Sequence, residues 1–171
     1  MAGIYGETGQ KTQLQFGPAK WLTGVAVSVG DFTFRDTDGF DKPLSSYTYV
    51  GNVSAANTIT AQQALKAAFR GVSMARRTTG QANGTDLSDG AIIEAGEFQF
   101  AIDSATANTP LGNYVTFANT AGAFSNSNVV VTSNLSLAIG KIHGAYTTGA
   151  GFITVNIFPQ LATGAGMQAI V

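Results

Sequence analysis

An all-β domain with one short helix is the fold class this sequence predicts, as a β-sandwich, jelly roll or barrel-like domain carrying an extended N-terminal arm. Two stretches of alternation carry the prediction. Phe98, Phe100 and Ile102 alternate with Glu97, Gln99 and Ala101, and Ile153, Val155 and Ile157 alternate with Phe152, Thr154 and Asn156. A period of two puts one set on each face of a strand. The third observation is that helical spacing occurs only once, between Thr60 and Arg70.

Residues 1–20 are rich in Gly, Gln and Thr with few large apolar groups, and read as an arm; residues 21–171 read as one β-rich domain with an apolar C-terminal tail. From Trp21 the stretch 21-WLTGVAVSV-29 is β-rich, and a Gly30-Asp31 turn leads into 31-DFTFR-35. A loop over 36-DTDGFDKP-43 precedes a short strand at 47-YTYVG-51. Thr60 is an N-cap, Gln63 completes a capping box, and Ala61, Ala64, Leu65, Ala68 and Phe69 form the apolar stripe, with Gly71 as C-cap. Such a short helix needs packing on a sheet to hold. Strands follow at 72-VSMAR-76, 91-AIIEA-95, 97-EFQFAI-102, 113-NYVTF-117, 128-NVVVT-132, 135-LSLAIGKIHGAY-146 and 152-FITVNIF-158, with Ala95-Gly96 among the turns between them.

Composition excludes several function classes. Only 11% of the 171 residues are charged while 44% are hydrophobic, the opposite of a disordered chain. There is no cysteine, which removes disulfides, thiolate metal sites and thiol nucleophiles. No apolar run approaches the ~20 residues of a membrane helix. The opening residues 1–17 lack the basic and apolar regions of a signal peptide, so the expectation is a soluble chain outside the general secretory route. A net charge of −1 gives no reason to expect nucleic acid.

Catalytic chemistry has little to work with. The last acid is Asp103, and after it the chain carries only Lys141 and the single histidine, His143. No GxSxG, GxGxxG or GxxxxGK[ST] motif is present, so neither a triad through His143 nor a phosphate-binding loop is supported. The loop Asp36-Thr37-Asp38-Gly39-Phe40-Asp41 spaces oxygen ligands as calcium loops do, but lacks their downstream glutamate, and reads first as an Asp/Gly turn. Three Asn-x-Ser/Thr triplets, at Asn52, Asn83 and Asn134, read as chance. The expectation is a non-enzyme without cofactor, metal or small-molecule substrate.

Charge is sorted along the chain. Lys66, Arg70, Arg76 and Arg77 form a basic block, and Asp86, Asp89, Glu94, Glu97 and Asp103 an acidic one. Either the blocks neutralise each other within one subunit, or Lys66, Arg70, Arg76 and Arg77 meet acids such as Glu94 and Glu97 across a subunit or capsid contact. In the arm, Ile4, Tyr5, Leu14 and Phe16 are the residues able to anchor on a partner.

The segment 64-ALKAAFRGVSMAR-76, the acidic strand 91-AIIEAGEFQFAI-102 and the closing 139-IGKIHGAYTTGAGFITVNIFP-159 occur in an order that resembles the small capsid decoration (cement) proteins of tailed bacteriophages. Phe69-Arg70-Gly71-Val72 is similar to that family's FxGV-like element, and Ile139-Gly140-Lys141-Ile142 to its IGxV hairpin. The similarity spans residues 21–159, and its motifs are mostly turn glycines and strand apolars; the arm and the Asp36–Pro43 loop depart from it. The resemblance implies an all-β, non-enzymatic virion protein that is made in the host cytoplasm. It would bind the major capsid protein on the outer capsid surface, as a homotrimer and without nucleic acid or membrane. Two alternatives stay open: another virion component, such as a tail or fibre-associated β-domain, and a carbohydrate-binding β-sandwich module or hydrolase.

Overall fold

The alternating stretch 97–102 belongs to the longest strand of the fold, and the other elements are arranged around it. The computed structural model describes residues 14–47, 55–83, 90–102, 113–120, 123–144 and 151–157. Along the chain run β1 (Gln15–Pro18), β2 (Phe32–Arg35), β3 (Asp41–Pro43), α1 (Ala55–Ala68), β4 (Phe69–Ser73), β5 (Ala91–Ile102), β6 (Tyr114–Thr120), β7 (Ala123–Thr132), β8 (Gly140–Ile142) and β9 (Phe152–Ile157). The fold is all-β, with one α-helix among the described residues.

Five strands close into a barrel. β5 pairs antiparallel with β9, β9 with β8, β8 with β6 and β6 with β7; β7 returns to β5 in a parallel pairing at Ala101↔Asn128 and Ile102↔Val129. Closure removes the free edges that an open sheet would present. Both alternating stretches fall as the period requires: Phe98, Phe100, Ile153, Val155 and Ile157 are buried, and Asn156 and Phe152 are exposed.

The first half of β5 serves a second sheet, ordered β3-β2-β4-β5, with β1 also pairing on β5. Four phenylalanines join the sheet to the barrel. Phe32 from β2 stacks 4.7 Å from Phe100 of β5, and 5.5 and 6.0 Å from Phe117 of β6 and Phe69 of β4. All four are at most 2% exposed. Burying each such ring contributes ~1.5–3 kcal/mol, and an edge-to-face pair adds ~0.5–1.5 kcal/mol. A smaller cluster of Ala19, Trp21, Val27, Ala75 and Ile92 covers the other side of β5's first half.

The helix differs from its sequence signature at both ends. It starts at Ala55 rather than Thr60 and stops at Ala68, so Thr60 and Gln63 sit inside it and Phe69 and Arg70 open β4. The alanines at 55 and 56 extend the helix upstream, while Phe69 is drawn into the sheet by pairing with Phe34. Gly71 does not cap the helix. At φ +137 it lies in β4, where any Cβ would collide with the Ile93 carbonyl of β5, so glycine here permits strand-to-strand approach. Gln63 and Lys66 fasten the helix to a 3-10 turn over Leu135–Leu137.

Other expectations shift in similar ways. Ala95-Gly96 is no turn: β5 passes through it unbroken. The stretch 21–29 contributes only isolated bridges, Trp21 to Asp41 and Val27 to Arg77. The expected 36–43 loop ends in β3, a hairpin partner of β2, and the next element is a 3-10 turn at Leu44–Ser46. Most of the expected 47–51 strand, the tail from 158 onward and arm residues 1–13 lie outside the described residues. The rest of the arm is a strand: β1 pairs with β5 from Gln15↔Ala95 to Pro18↔Ala91.

Candidate functional site

Arg70 and Glu94, one from each charge block, gather with Arg35 and Asp41 on the second sheet. Asp41, the first residue of β3, is wholly buried and receives both arms of the Arg35 guanidinium, at 2.9 Å on Oδ1 and 2.7 Å on Oδ2. Cross-strand pairing of Arg35 with Asp41 in the β2–β3 hairpin places them together. The Lys20 backbone N–H also donates to Asp41 Oδ2, at 2.7 Å. The Arg70 Nε lies 3.7 Å from Asp41 Oδ1, and its Nη2 lies 2.7 Å from Glu94 Oε1. The result is a four-residue chain, Arg35–Asp41–Arg70–Glu94, two cations alternating with two anions across four strands. The hydrogen bond to Asp41, reinforced by its charge and that of Glu94, offsets the cost of burial and holds Arg35 firmly in its charged form.

Glu94 needs room on its sheet neighbour. Gly17 of β1 provides it, since a Cβ there would collide with the Glu94 carboxylate. Glycine at 17 is therefore part of the ion chain, a role no local turn signal reveals.

The Asp/Gly loop uses its own cation. Asp36 Oδ2 and Asp38 Oδ2 each stand 2.6 Å from Lys42 Nζ, while Asp36 and Asp38 also accept backbone N–H bonds from Thr37 and Phe40. Hydrogen bonding to Lys42 holds both carboxyls below the usual aspartate range. Burial works against the Lys42 charge, but the two carboxylates outweigh it and raise its pKa. Asp41, third acid of the calcium-like pattern, points into the ion chain instead. Among the described residues no three His, Cys, Asp or Glu side chains stand together as a metal site.

On the barrel wall Glu97 of β5 meets His143, just past β8, with Nδ1 2.7 Å from Oε2. The pair spans β9, because Glu97 and Lys141 both pair with Asn156. Lys141 Nζ lies 5.9 Å from the centroid of the Tyr114 ring. Among the described residues the His143 ring is hydrogen-bonded to the Glu97 carboxylate, on the barrel wall.

The predicted contact residues therefore separate into groups. Arg70 and Glu94 engage each other inside one subunit, the first of the two readings of the charge blocks. Arg77 is 5% exposed, its guanidinium donates to the Ala82 carbonyl, and its backbone pairs with Val27. Lys66 is half-buried with its ammonium on the Leu135 and Ser136 carbonyls at 3.2 Å, and that burial lowers its pKa. Glu97 is bound to His143. Arg76 is exposed. Leu14 packs against the main core, whereas Phe16 is 54% exposed. Ile4 and Tyr5 lie outside the described residues. Sequence reading missed Arg35 and Gly17 and weighed Asp41 only as an oxygen ligand of its loop; the available signal was Arg35 and Asp41 flanking an Asp/Gly turn.

The chain matches no protein-family model and no curated protein sequence. The functional reading therefore rests on the residues themselves.

Proposed function

We propose that this chain is a structural virion protein, a decoration protein that binds the outer surface of a tailed-phage capsid and associates with itself as a homotrimer. The observation that carries the reading is where its polar chemistry goes. The ionic groups of the second sheet are consumed in the chain from Arg35 to Glu94, and the acids of the Asp36–Asp38 loop are consumed by Lys42. Groups committed to one another stiffen a fold and are poorly placed to turn over a substrate. Phe16, standing half out of β1 in the arm itself, suits attachment. Binding at several lattice points gains by effective concentration, so each contact can be weak.

The test is occupancy on undecorated capsids. β1 belongs to the sheet and Leu14 to the core, so the informative truncation removes residues 2–13 and leaves Leu14 onward intact. Wild type should fill the lattice, Phe16→Ala should fill it less, and the truncation should fill it least while keeping its fold. Wild type that fails to bind capsids, or a truncation that binds equally well, would defeat the reading in whole or in its arm component.

A further inference from the structure

The outer face of the β5–β9 pair carries polar groups of a different kind from those of the second sheet. Phe98, Phe100, Ile153 and Val155 are buried in the barrel, so Glu97, Gln99, Ala101, Phe152 and Asn156 share the outside. Phe152 is 50% exposed there. Its cross-strand partner is Ala101, whose methyl is too short to cover a ring, and Gly151 before it has open space around it. Among the described residues the side-chain amides of Gln99 and Asn156 have no hydrogen-bond partner, whereas the charged groups of the second sheet are consumed by one another. At the far end His143 Nδ1 holds Glu97 Oε2 at 2.7 Å, and Asn156 stands between Glu97 and Lys141 in register. From Phe152 to Asn156 the face runs about 13 Å along β9.

We propose that this wall binds a short neutral oligosaccharide, a function separate from the capsid contact. The face of an aromatic ring is electronegative and takes the slightly positive C–H face of a sugar ring. Each unengaged amide offers donors and an acceptor together, and a sugar hydroxyl, itself both, satisfies it in either sense. Glu97, oriented by His143, supplies a further acceptor. Its charge and that of Lys141 oppose each other two strands apart, so the face has no one-signed field to draw a polyanion. An apolar peptide laid over the same wall would bury the two amides without partners, which disfavours it. The length of the face exceeds one sugar ring. One ring stacks on Phe152, and the next units of the chain lie over Gln99 and Asn156.

The experiment presents full-length wild type, Phe152→Ala, Asn156→Ala and Phe16→Ala to an array of neutral, sialylated and sulfated oligosaccharides, then titrates the best neutral binder by calorimetry. Wild type should bind neutral chains. Phe152→Ala should bind them on the order of tenfold more weakly, the scale of one lost stacking contact, and Asn156→Ala severalfold more weakly. Phe16→Ala removes a comparably exposed ring from β1 and should bind sugar as wild type does. Unchanged unfolding midpoints show that the surface substitutions leave the fold intact. A wild type that binds no neutral oligosaccharide would overturn the proposal, as would binding confined to sialylated or sulfated chains. So would neutral binding that Phe152→Ala leaves unchanged. Capsid occupancy separates the two surfaces: Phe152→Ala should decorate capsids as wild type does, and a loss there would assign the wall to a protein contact instead.

Discussion

Arg70 of β4 and Glu94 of β5 meet at 2.7 Å on the sheet face opposite the core residue Ile93, and Glu94 is only 6% exposed there. Neighbouring strands bring them together although 23 residues lie between them in sequence, and Asp41 and Arg35 continue the line toward the sheet edge. A charge buried to this degree is tolerated only beside its partner. The ion chain therefore fixes which strands sit side by side, in addition to whatever net stability it contributes.

Removing one member should be costlier than removing a matched pair. Glu94→Ala removes the nearer anion of the largely buried Arg70 guanidinium and leaves it only Asp41 at 3.7 Å, and should lower stability by about 3 kcal/mol. Replacing the two together, Arg70→Met with Glu94→Leu, should cost clearly less than the sum of the single changes. Urea unfolding midpoints at unchanged slope test this, and additive losses would refute the coupling.

Gly17→Ala should destabilise for a different reason. The new methyl collides with the Glu94 carboxylate, and either β1 or Glu94 must move, at about 1–3 kcal/mol. If the carboxylate is the obstacle, the same change in a Glu94→Ala background should cost little. A full penalty in both backgrounds would place the fault in the β1 backbone instead.

How much of this was legible depends on the range of the interaction. The alternation of Phe98/Phe100 and Ile153/Val155/Ile157 is local, and both strands fell where the period put them. The helix ends were misjudged because Phe69 answers to Phe34 and Phe32 on another strand, not to the turn preceding it. In sequence Gly96 signals a turn because a glycine after a short strand usually ends one, whereas β5 continues through it into the barrel. The charge blocks were visible as blocks, but their pairing was not. Arg70 could be assigned to Glu94 only once the order β4-β5-β1 was known, and Gly17 only once Glu94 was placed.

Acid should weaken the Asp36–Lys42 hairpin. The hydrogen bonds from Lys42 lower both carboxyl pKa values, so the folded chain binds fewer protons than the unfolded one as pH falls toward and below the ordinary aspartate range. The stabilising contribution is thus complete above that range and fades as pH drops through the lowered values. Asp31 works in the opposite sense, because burial raises its pKa despite the N–H bond from Ser28. Lys42→Met separates the two: it should flatten the acid limb of a stability–pH curve attributable to Asp36 and Asp38. The effect will be small because these carboxylates are largely solvated. An acid limb unchanged in Lys42→Met would count against the assignment.

Alkali should act through Lys66 with the reverse sign. Burial lowers its pKa, so just below the ordinary lysine value the folded chain has released a proton that the unfolded chain still holds. Within that window stability should rise with pH, where most surface lysines contribute nothing. The two carbonyls of Leu135 and Ser136 limit the gain, since they accept from the ammonium and tie α1 to the 3-10 turn. Lys66→Met should abolish the rise and loosen that attachment, making amide exchange in the second half of α1 faster than in β5 by comparison with wild type. Glu97→Gln, on the barrel wall, should leave the alkaline window as it is. A rise that survives Lys66→Met would assign the effect to another group.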